Sequence, residues 1–414
     1  MQETNDLSHQ IVIVGGGSAG IATAASLLAR DAALDIAIID PAETHYYQPG
    51  WTLVGAGVFD AQDTARSMNS LIPKGAQRIK ASVAAFAPQD NQLTLADGRT
   101  IRYQQLIVCP GLKLDWDAIE GLGETLGRNG VTSNYRFDLA PYTWQLVQQL
   151  KQGKALFTQP PLPIKCAGAP QKAMYLSCDH WLKSGHLSQI KTSFFNAGGV
   201  LFGVADYVPA LMDYVERYGI SLQFGNRLVA VDGPRQVATF VRTLADGSTE
   251  TIEESFDMLH VVPPQVAPDF IRQSPLADAS GWVDVDPATL RHRGFANVHG
   301  LGDVVNTSNA KTAAAARKQA PIVANNVLVA MGRLSRLAQY DGYGSCPLTV
   351  ERGKIVLAEF TYGGKLAPSF PAWLLDGRRP TRLAWLLKER ILPPLYWRGM
   401  LRGKEWLARP KLDG

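Results

Sequence analysis

Residues 11 to 40, IVIVGGGSAGIATAASLLARDAALDIAIID, restrict what this chain can fold into more than any other stretch. The apolar run Ile11 to Val14 fits a strand buried on both faces, the Ala- and Leu-rich stretch after it fits a helix, and residues 35 to 40 fit a second parallel strand. Between strand and helix, Gly15, Gly17 and Gly20 form G-x-G-x-x-G. Gly15 permits the tight turn, Gly17 lets the backbone approach a pyrophosphate, and Gly20 lets helix and strand pack closely. The free N–H groups at the helix start then face the phosphates. Asp40 closes the second strand twenty residues after Gly20, where an acid accepts hydrogen bonds from an adenosine ribose. Strand, helix, strand and acid in register make this a dinucleotide-binding unit. The motif alone does not choose between FAD and NAD.

At 414 residues the chain exceeds one ordinary core, so two or three domains are expected. No run approaches the roughly 18 apolar residues of a membrane-spanning helix. The leader MQETNDLSHQ has no basic, apolar or Arg-rich amphipathic character, so neither a secretory signal nor an organelle presequence is expected, and a cytoplasmic location is the default. The net charge of +4 is unevenly placed: residues 365 to 414 hold 11 Lys and Arg against 4 Asp and Glu, a local +7 that leaves −3 for the rest. A block of that kind points to an anionic surface, membrane rather than nucleic acid. The four cysteines, Cys109, Cys166, Cys178 and Cys346, form no C-x-x-C pair, so neither a disulfide scaffold nor a metal site is expected.

The chain then reads as an interrupted cofactor domain. A loop rich in aromatics and glycine, PAETHYYQPGWTLVGAGVF, is expected to lie on the cofactor, followed by a hairpin about Asp97-Gly98 and a strand from Gln105 to Val108. This order resembles the first half of the FAD domain in two-dinucleotide flavoproteins and places that half at 9–115. After a predicted helix at 138–152, a second Rossmann-like unit spans 150–265, with predicted helices at 171–183 and 206–218. Its glycine turn is replaced by QPPLPIKCAGAPQKAMYLS, whose Pro160, Pro161, Pro163 and Pro170 remove N–H donors, and its next strand ends at Asn196 rather than an acid. Both departures argue against a working NAD site. The FAD domain resumes over 285–332, where Gly302-Asp303 before a helix at 309–331 resembles the second FAD fingerprint of flavoprotein disulfide reductases, the acid holding the ribitol chain. Asp303 lies 263 positions after Asp40, and that order of fingerprints selects FAD. The helix start, with Lys311 and Thr312, is expected to set positive charge against the reduced flavin. Residues 333–414 form a C-terminal region.

Cys166 stands beside Lys165 in the proline loop, and Cys346 lies in YDGYGSCPLTV, read as a turn before a strand from Lys354 to Phe360. A cationic neighbour lowers a thiol pKa. Cys109 and Cys178 read as small buried hydrophobes. The segments HYYQPGWTLVGAG, VTSNYRFD, PIKCAGAPQKAMYL, HVVPP, GLGDVVNTSNAKTAAAARKQAP, YGSCPL and ILPPLYWRGMLRG resemble the sulfide:quinone oxidoreductase family in its mitochondrial-type branch. The resemblance covers nearly the whole chain. It implies FAD, a redox disulfide between Cys166 and Cys346, and oxidation of sulfide to a persulfide on Cys346. Electrons would pass from Cys166 through the flavin to quinone, and a small acceptor of the thiol, sulfite or cyanide class would take the sulfur.

The tail PTRLAWLLKERILPPLYWRGMLRGKEWLA reads as two short helices broken by Pro393-Pro394. Leu383, Leu386, Leu387 and Ile391 share a face, Arg382, Lys388 and Arg390 can snorkel, and Trp385, Tyr396, Trp397 and Trp406 suit an interface. A helical hairpin or a homodimer contact fits the same composition; the resemblance favours a monotopic anchor on the cytoplasmic face of a membrane, the bacterial inner membrane being expected. The rival readings are a type II NADH:quinone oxidoreductase, a flavocytochrome-type sulfide dehydrogenase subunit, and a non-catalytic flavin-binding redox sensor.

Overall fold

A computed structural model of the protein describes residues 7–412. Strand β1 (Leu7–Val14), helix α1 (Ser18–Arg30) and strand β2 (Ile36–Ile39) form the expected unit, with Ile11 paired to Ile36 and Val14 to Ile39 in parallel. On the other side of β1 lies strand β3 (Thr100–Val108). Its first residues pair antiparallel with Gln92–Leu95, and its last three pair in parallel with a strand that arrives only at Val298–Gly300. The cofactor sheet is thus completed by a segment about two hundred residues away, as an interrupted domain requires. Ile11, Ile13, Ile36, Ile38, Leu106 and Ile107 are fully buried in it, which is why these strands are apolar without alternation.

The second parallel sheet carries strand β4 (Gly153–Gln159), helix α2 (Ala169–Lys183) and strand β5 (Ile190–Asn196). Helices predicted at 138–152 and 206–218 are found as Ala140–Gln149 and Val208–Tyr218. The chain then returns to the first sheet through β6 (Val298–Gly300) and helix α3 (Ala313–Ala330). This helix starts later than predicted because the Thr312 hydroxyl accepts the Ala315 N–H at 3.2 Å and caps it.

Two parts of the C-terminal region differ from the sequence reading. Cys346 lies not in a turn but on strand β7 (Gly344–Glu351), antiparallel to β8 (Lys354–Phe360), and the inner face of this hairpin enters the core of the second unit with Phe157, Tyr175 and Phe194. The tail is not broken at Pro393-Pro394: helix α4 (Arg382–Leu386) runs on through π-helical turns at Leu387–Ile391 and Leu395–Gly399. The wider turns accommodate the missing N–H groups of the two prolines. They also rotate the face beyond Ile391, with consequences for Tyr396.

Candidate active site

A cavity of about 530 Å³ runs from the glycine turn past Cys166 to the tail, lined among others by Gly17, Asp40, Asp303, Lys172, Lys388 and Leu395. At its first end the turn is fixed by contact. A side chain at Gly15, where φ is +109°, would lie 2.5 Å from the Cys109 carbonyl oxygen, and one at Gly20 would collide with the Gly15 oxygen, whereas nothing lies within 4 Å of the Cβ position at Gly17. That opening, at an α1 N-terminus with no side-chain cap and no acid in its first turn, is a cradle for phosphate. Asp40 sits at its rim, and its carboxylate also braces the turn: Oδ2 accepts Gly16 N–H at 2.6 Å and Oδ1 accepts Ala42 N–H at 2.8 Å. Gly302, at φ +79°, approaches Ala19 of α1, so the two fingerprints meet in space.

Asp303 and Thr312 line the cavity. Burial raises the Asp303 carboxyl pKa while Lys165 and Lys311 draw it down. Lys311 lines the cavity too, but its ammonium donates to the backbone oxygens of Asp303 (2.7 Å) and Val305 (2.8 Å) and lies 4.2 Å from the Trp282 ring centre. Burial lowers its pKa to about 8. It ties down the Asp303 loop from the cavity wall.

Cys166 Sγ and Cys346 Sγ, 180 positions apart in sequence, are free thiols 3.4 Å from each other. Cys166 adopts φ +52°, an uncommon conformation for a residue with a Cβ. Its N–H donates to Lys311 O at 2.9 Å, its oxygen accepts Ala169 N–H at 2.7 Å, and Tyr135 OH donates to Lys165 O at 2.8 Å. Gly168 lets this loop reach the strand: a Cβ there would lie 2.5 Å from Cys346 Sγ and clash with Leu348. Cys109 and Cys178 are buried elsewhere, as expected.

The cation touching Cys166 is Lys172, whose Nζ lies 3.2 Å from Sγ, not the sequence neighbour Lys165, which turns to Gln48. Lys172 is buried in the first turn of α2, and Lys388, expected to snorkel into lipid, is instead 4 % exposed and turned inward beside the pair. A hydrogen bond from Cys346 and the charges of Lys172 and Lys388 hold the Cys166 thiol well below its ordinary pKa. The adjacent thiolate and burial push Cys346 well above its own. Burial, then repulsion from Lys172, brings Lys388 down to about 7. No three His, Cys, Asp or Glu side chains converge as a metal site among the described residues.

In the second unit, Asn196 Nδ2 donates to Val200 O at 2.9 Å and its Oδ1 accepts Gly198 N–H at 2.8 Å, so the position that would face a ribose closes its own turn. Trp385 and Tyr396, expected at an interface, are buried, whereas Trp406 (58 %) and Trp373 (85 %) are exposed. No helix among the described residues is long and apolar enough to cross a membrane.

The fold and paired thiols define a flavoprotein of the disulfide-oxidoreductase class, and residues 9–150 match the family model "Pyridine nucleotide-disulphide oxidoreductase". The chain is 40% identical to the mitochondrial sulfide:quinone oxidoreductase of Dictyostelium discoideum over 97% of its own length and 88% of the relative's, and 39% identical to that of Mus musculus over 95% and 87%. It belongs to the sulfide:quinone oxidoreductase family, whose cofactor is FAD. The solved structure of the sulfide:quinone oxidoreductase from Aquifex aeolicus superposes with a TM-score of 0.80 at 18% identity, covering 98% of this chain and 97% of that one, a likeness of fold. A Plasmodium falciparum NDH2 structure follows at 0.64 and 12%, covering 95% and 99%. The relatives' names say mitochondrial, which gives no support to the expected bacterial inner membrane.

Proposed function

We propose that the protein oxidises sulfide at the Cys166–Cys346 pair and delivers the electrons through FAD to a membrane quinone; the observation that carries this is two thiols 3.4 Å apart with Cys166 on the cavity wall. Gly15, Gly17, Gly20 and Asp40 would hold the ADP half of FAD, and Gly302, Asp303, Lys311 and Thr312 the other half. When bound, FAD supplies the two-electron acceptor for the thiol pair and the donor for the quinone.

With the pair oxidised, hydrosulfide attacks the Cys346 sulfur. The S–S bond breaks, Cys166 leaves as a thiolate, and Cys346 carries the persulfide. The order rests on geometry, since Lys172 Nζ lies 3.2 Å from Cys166 Sγ and favours that sulfur as the departing thiolate. Lys172, whose own pKa the Cys166 thiolate raises against the opposing effect of burial, holds that negative charge. An acceptor of the thiol, sulfite or cyanide class then takes the outer sulfur, and the proton stays on Cys346, whose thiol the neighbouring Cys166 thiolate and burial hold well above its ordinary pKa. The Cys166 thiolate and the Cys346 thiol rejoin as a disulfide with loss of one proton and of two electrons, for which FAD would be the acceptor. Hydrosulfide is already ionised in part near neutrality, so the attack needs no dedicated base.

The tail places Leu383, Leu386, Ile391 and Leu407 outward among exposed Arg382, Arg390, Arg398 and Arg402, and the cavity reaches its wall at Leu392, Leu395 and Leu407. We assign this face to a monotopic seat on a membrane surface through which quinone enters. An NADH-oxidising reading is disfavoured by Asn196 and the prolines of the degenerate loop. The test is anaerobic titration followed by flavin absorbance. Sulfide, not NADH, should bleach the parent protein, and Cys166→Ser and Cys346→Ser should not bleach with sulfide; normal reduction of both variants would sink the disulfide mechanism.

A further inference from the structure

The tail touches the dinucleotide cradle directly. His45, 3 % exposed, places Nδ1 3.3 Å from the oxygen of Gly16 and Nε2 2.6 Å from the Tyr396 hydroxyl. A carbonyl can only accept, so Nδ1 carries the proton, Nε2 is the acceptor, and Tyr396 donates. Burial lowers the His45 pKa and keeps the ring neutral, as that tautomer requires. The Gly16 peptide is thereby pinned on both sides, its N–H by Asp40 and its oxygen by His45. The Tyr47 ring packs on Tyr396 at 4.8 Å between centres, and Tyr396, Met400 and Leu401 belong to the core of the cofactor domain.

Further along, the same segment grips α1 again. Glu405 accepts from Ser26 Oγ at 2.7 Å and from both terminal nitrogens of Arg30, and Gly403, at φ +70°, lies so close that a Cβ would sit 2.6 Å from Ala25 O. Residues 396–406 therefore cross the phosphate-binding helix from its N-terminal turn to its far end, while Leu392, Leu395, Tyr396 and Met400 wall the cavity that Gly17 and Asp40 open. The outward side of residues 391–406 carries Ile391, Arg398, Arg402 and Trp406.

We propose that the C-terminal segment is a strap that retains the dinucleotide, with Tyr396 and His45 as positioning residues for the phosphate turn, and that its seating on an anionic lipid surface slows cofactor release. Leaving requires the strap to lift, and arginines held at lipid headgroups oppose lifting. The membrane part rests on the reading of the tail given above.

The test uses the holoprotein diluted into flavin-free buffer, with release read as the rise in free-FAD fluorescence and vesicle binding read separately by sedimentation with phosphatidylserine–phosphatidylcholine vesicles. Tyr396→Phe and Glu405→Gln should release FAD roughly three- to tenfold faster than the parent, the range expected for losing one buried hydrogen bond or charged contact. Their secondary structure by circular dichroism should be unchanged. Vesicles should slow release from the parent, and pure phosphatidylcholine should do so less. Equal release from both variants and the parent would overturn the strap. Sedimentation without slowed release would overturn its coupling to lipid. No sedimentation would refute the membrane seat, and the strap would then be judged by the two variants alone.

Discussion

At the residue scale the site is decided by where the lysines near the thiols point, and chain adjacency to Cys166 does not decide which of them reaches the sulfur. Lys165 adjoins Cys166 in the chain yet bonds Gln48, while Lys172, more than one helical turn away, meets the sulfur because α2 starts at Ala169 and carries its first turn back over the loop. Removing that charge should raise the Cys166 pKa. The thiolate is present above the depressed pKa and lost below it. Lys172→Met should therefore slow alkylation of the reduced protein by iodoacetamide about tenfold for each pH unit by which the thiol's pKa climbs, most clearly at pH 6, while Lys172→Arg keeps most of the rate. Lys388 gives a second prediction, of opposite form. Its pKa is about 7 in the fold against an ordinary 10.5, so between those values the unfolded chain binds more protons and stability climbs with pH. Lys388→Met removes that slope, so its melting temperature should exceed the parent's by more at pH 6 than at pH 9.

At the scale of elements, the legible parts are those a short stretch determines alone. The glycine turn, Asp40 and the late Gly302-Asp303 follow from backbone requirements that only particular residues meet, and they sit where the motifs put them. The thiol pair is legible only through resemblance to a family, since nothing in the proline loop or in YGSCPL says which strand the other sulfur occupies. The placing of Cys346 on β7 escapes a reading of the sequence because a serine, a cysteine and a proline after Gly344 look like a turn, whereas pairing with the apolar β8 makes them a strand. Gly168 escapes for a related reason: its need is a close approach between α2 and β7, a contact between elements distant in sequence. Gly168→Ala should force the Cys166 loop and the Cys346 strand apart, costing about 1–3 kcal/mol of stability by overpacking. A displacement of order 1 Å between reacting sulfurs should slow anaerobic flavin reduction by sulfide about a hundredfold, measured by stopped flow. An unchanged rate would mean that the two sulfurs tolerate separation and that their contact is incidental.

At the scale of the whole molecule, one cavity joins three chemistries that the chain supplies from separate regions: the phosphate cradle from residues near 17, the thiols from 166 and 346, and an apolar wall from the tail. A regular 3.6-residue period laid over the tail gives a hinged pair of helices with all their aromatics outward, and the structure departs from it for a geometric reason. Lys388, one turn after the buried Ala384 and Trp385, already shares their inward side, while the π turns at Leu387–Ile391 and Leu395–Gly399 shift the phase beyond it and bring Tyr396 to His45, leaving Leu383, Leu386 and Ile391 as the outer face. The outer and inner faces can therefore be separated by mutation. Leu386→Ser with Ile391→Ser removes exposed apolar surface without touching the thiol pair, and burying a Leu or Ile side chain in lipid is worth about 1.5–3 kcal/mol each. The double variant should lose roughly tenfold or more in vesicle affinity by sedimentation and a comparable factor in turnover with vesicle-dissolved quinone, yet reduce its flavin with sulfide at the parent's rate. Loss of both half-reactions together would place these residues in the fold of the site, and loss of neither would move quinone entry to another face.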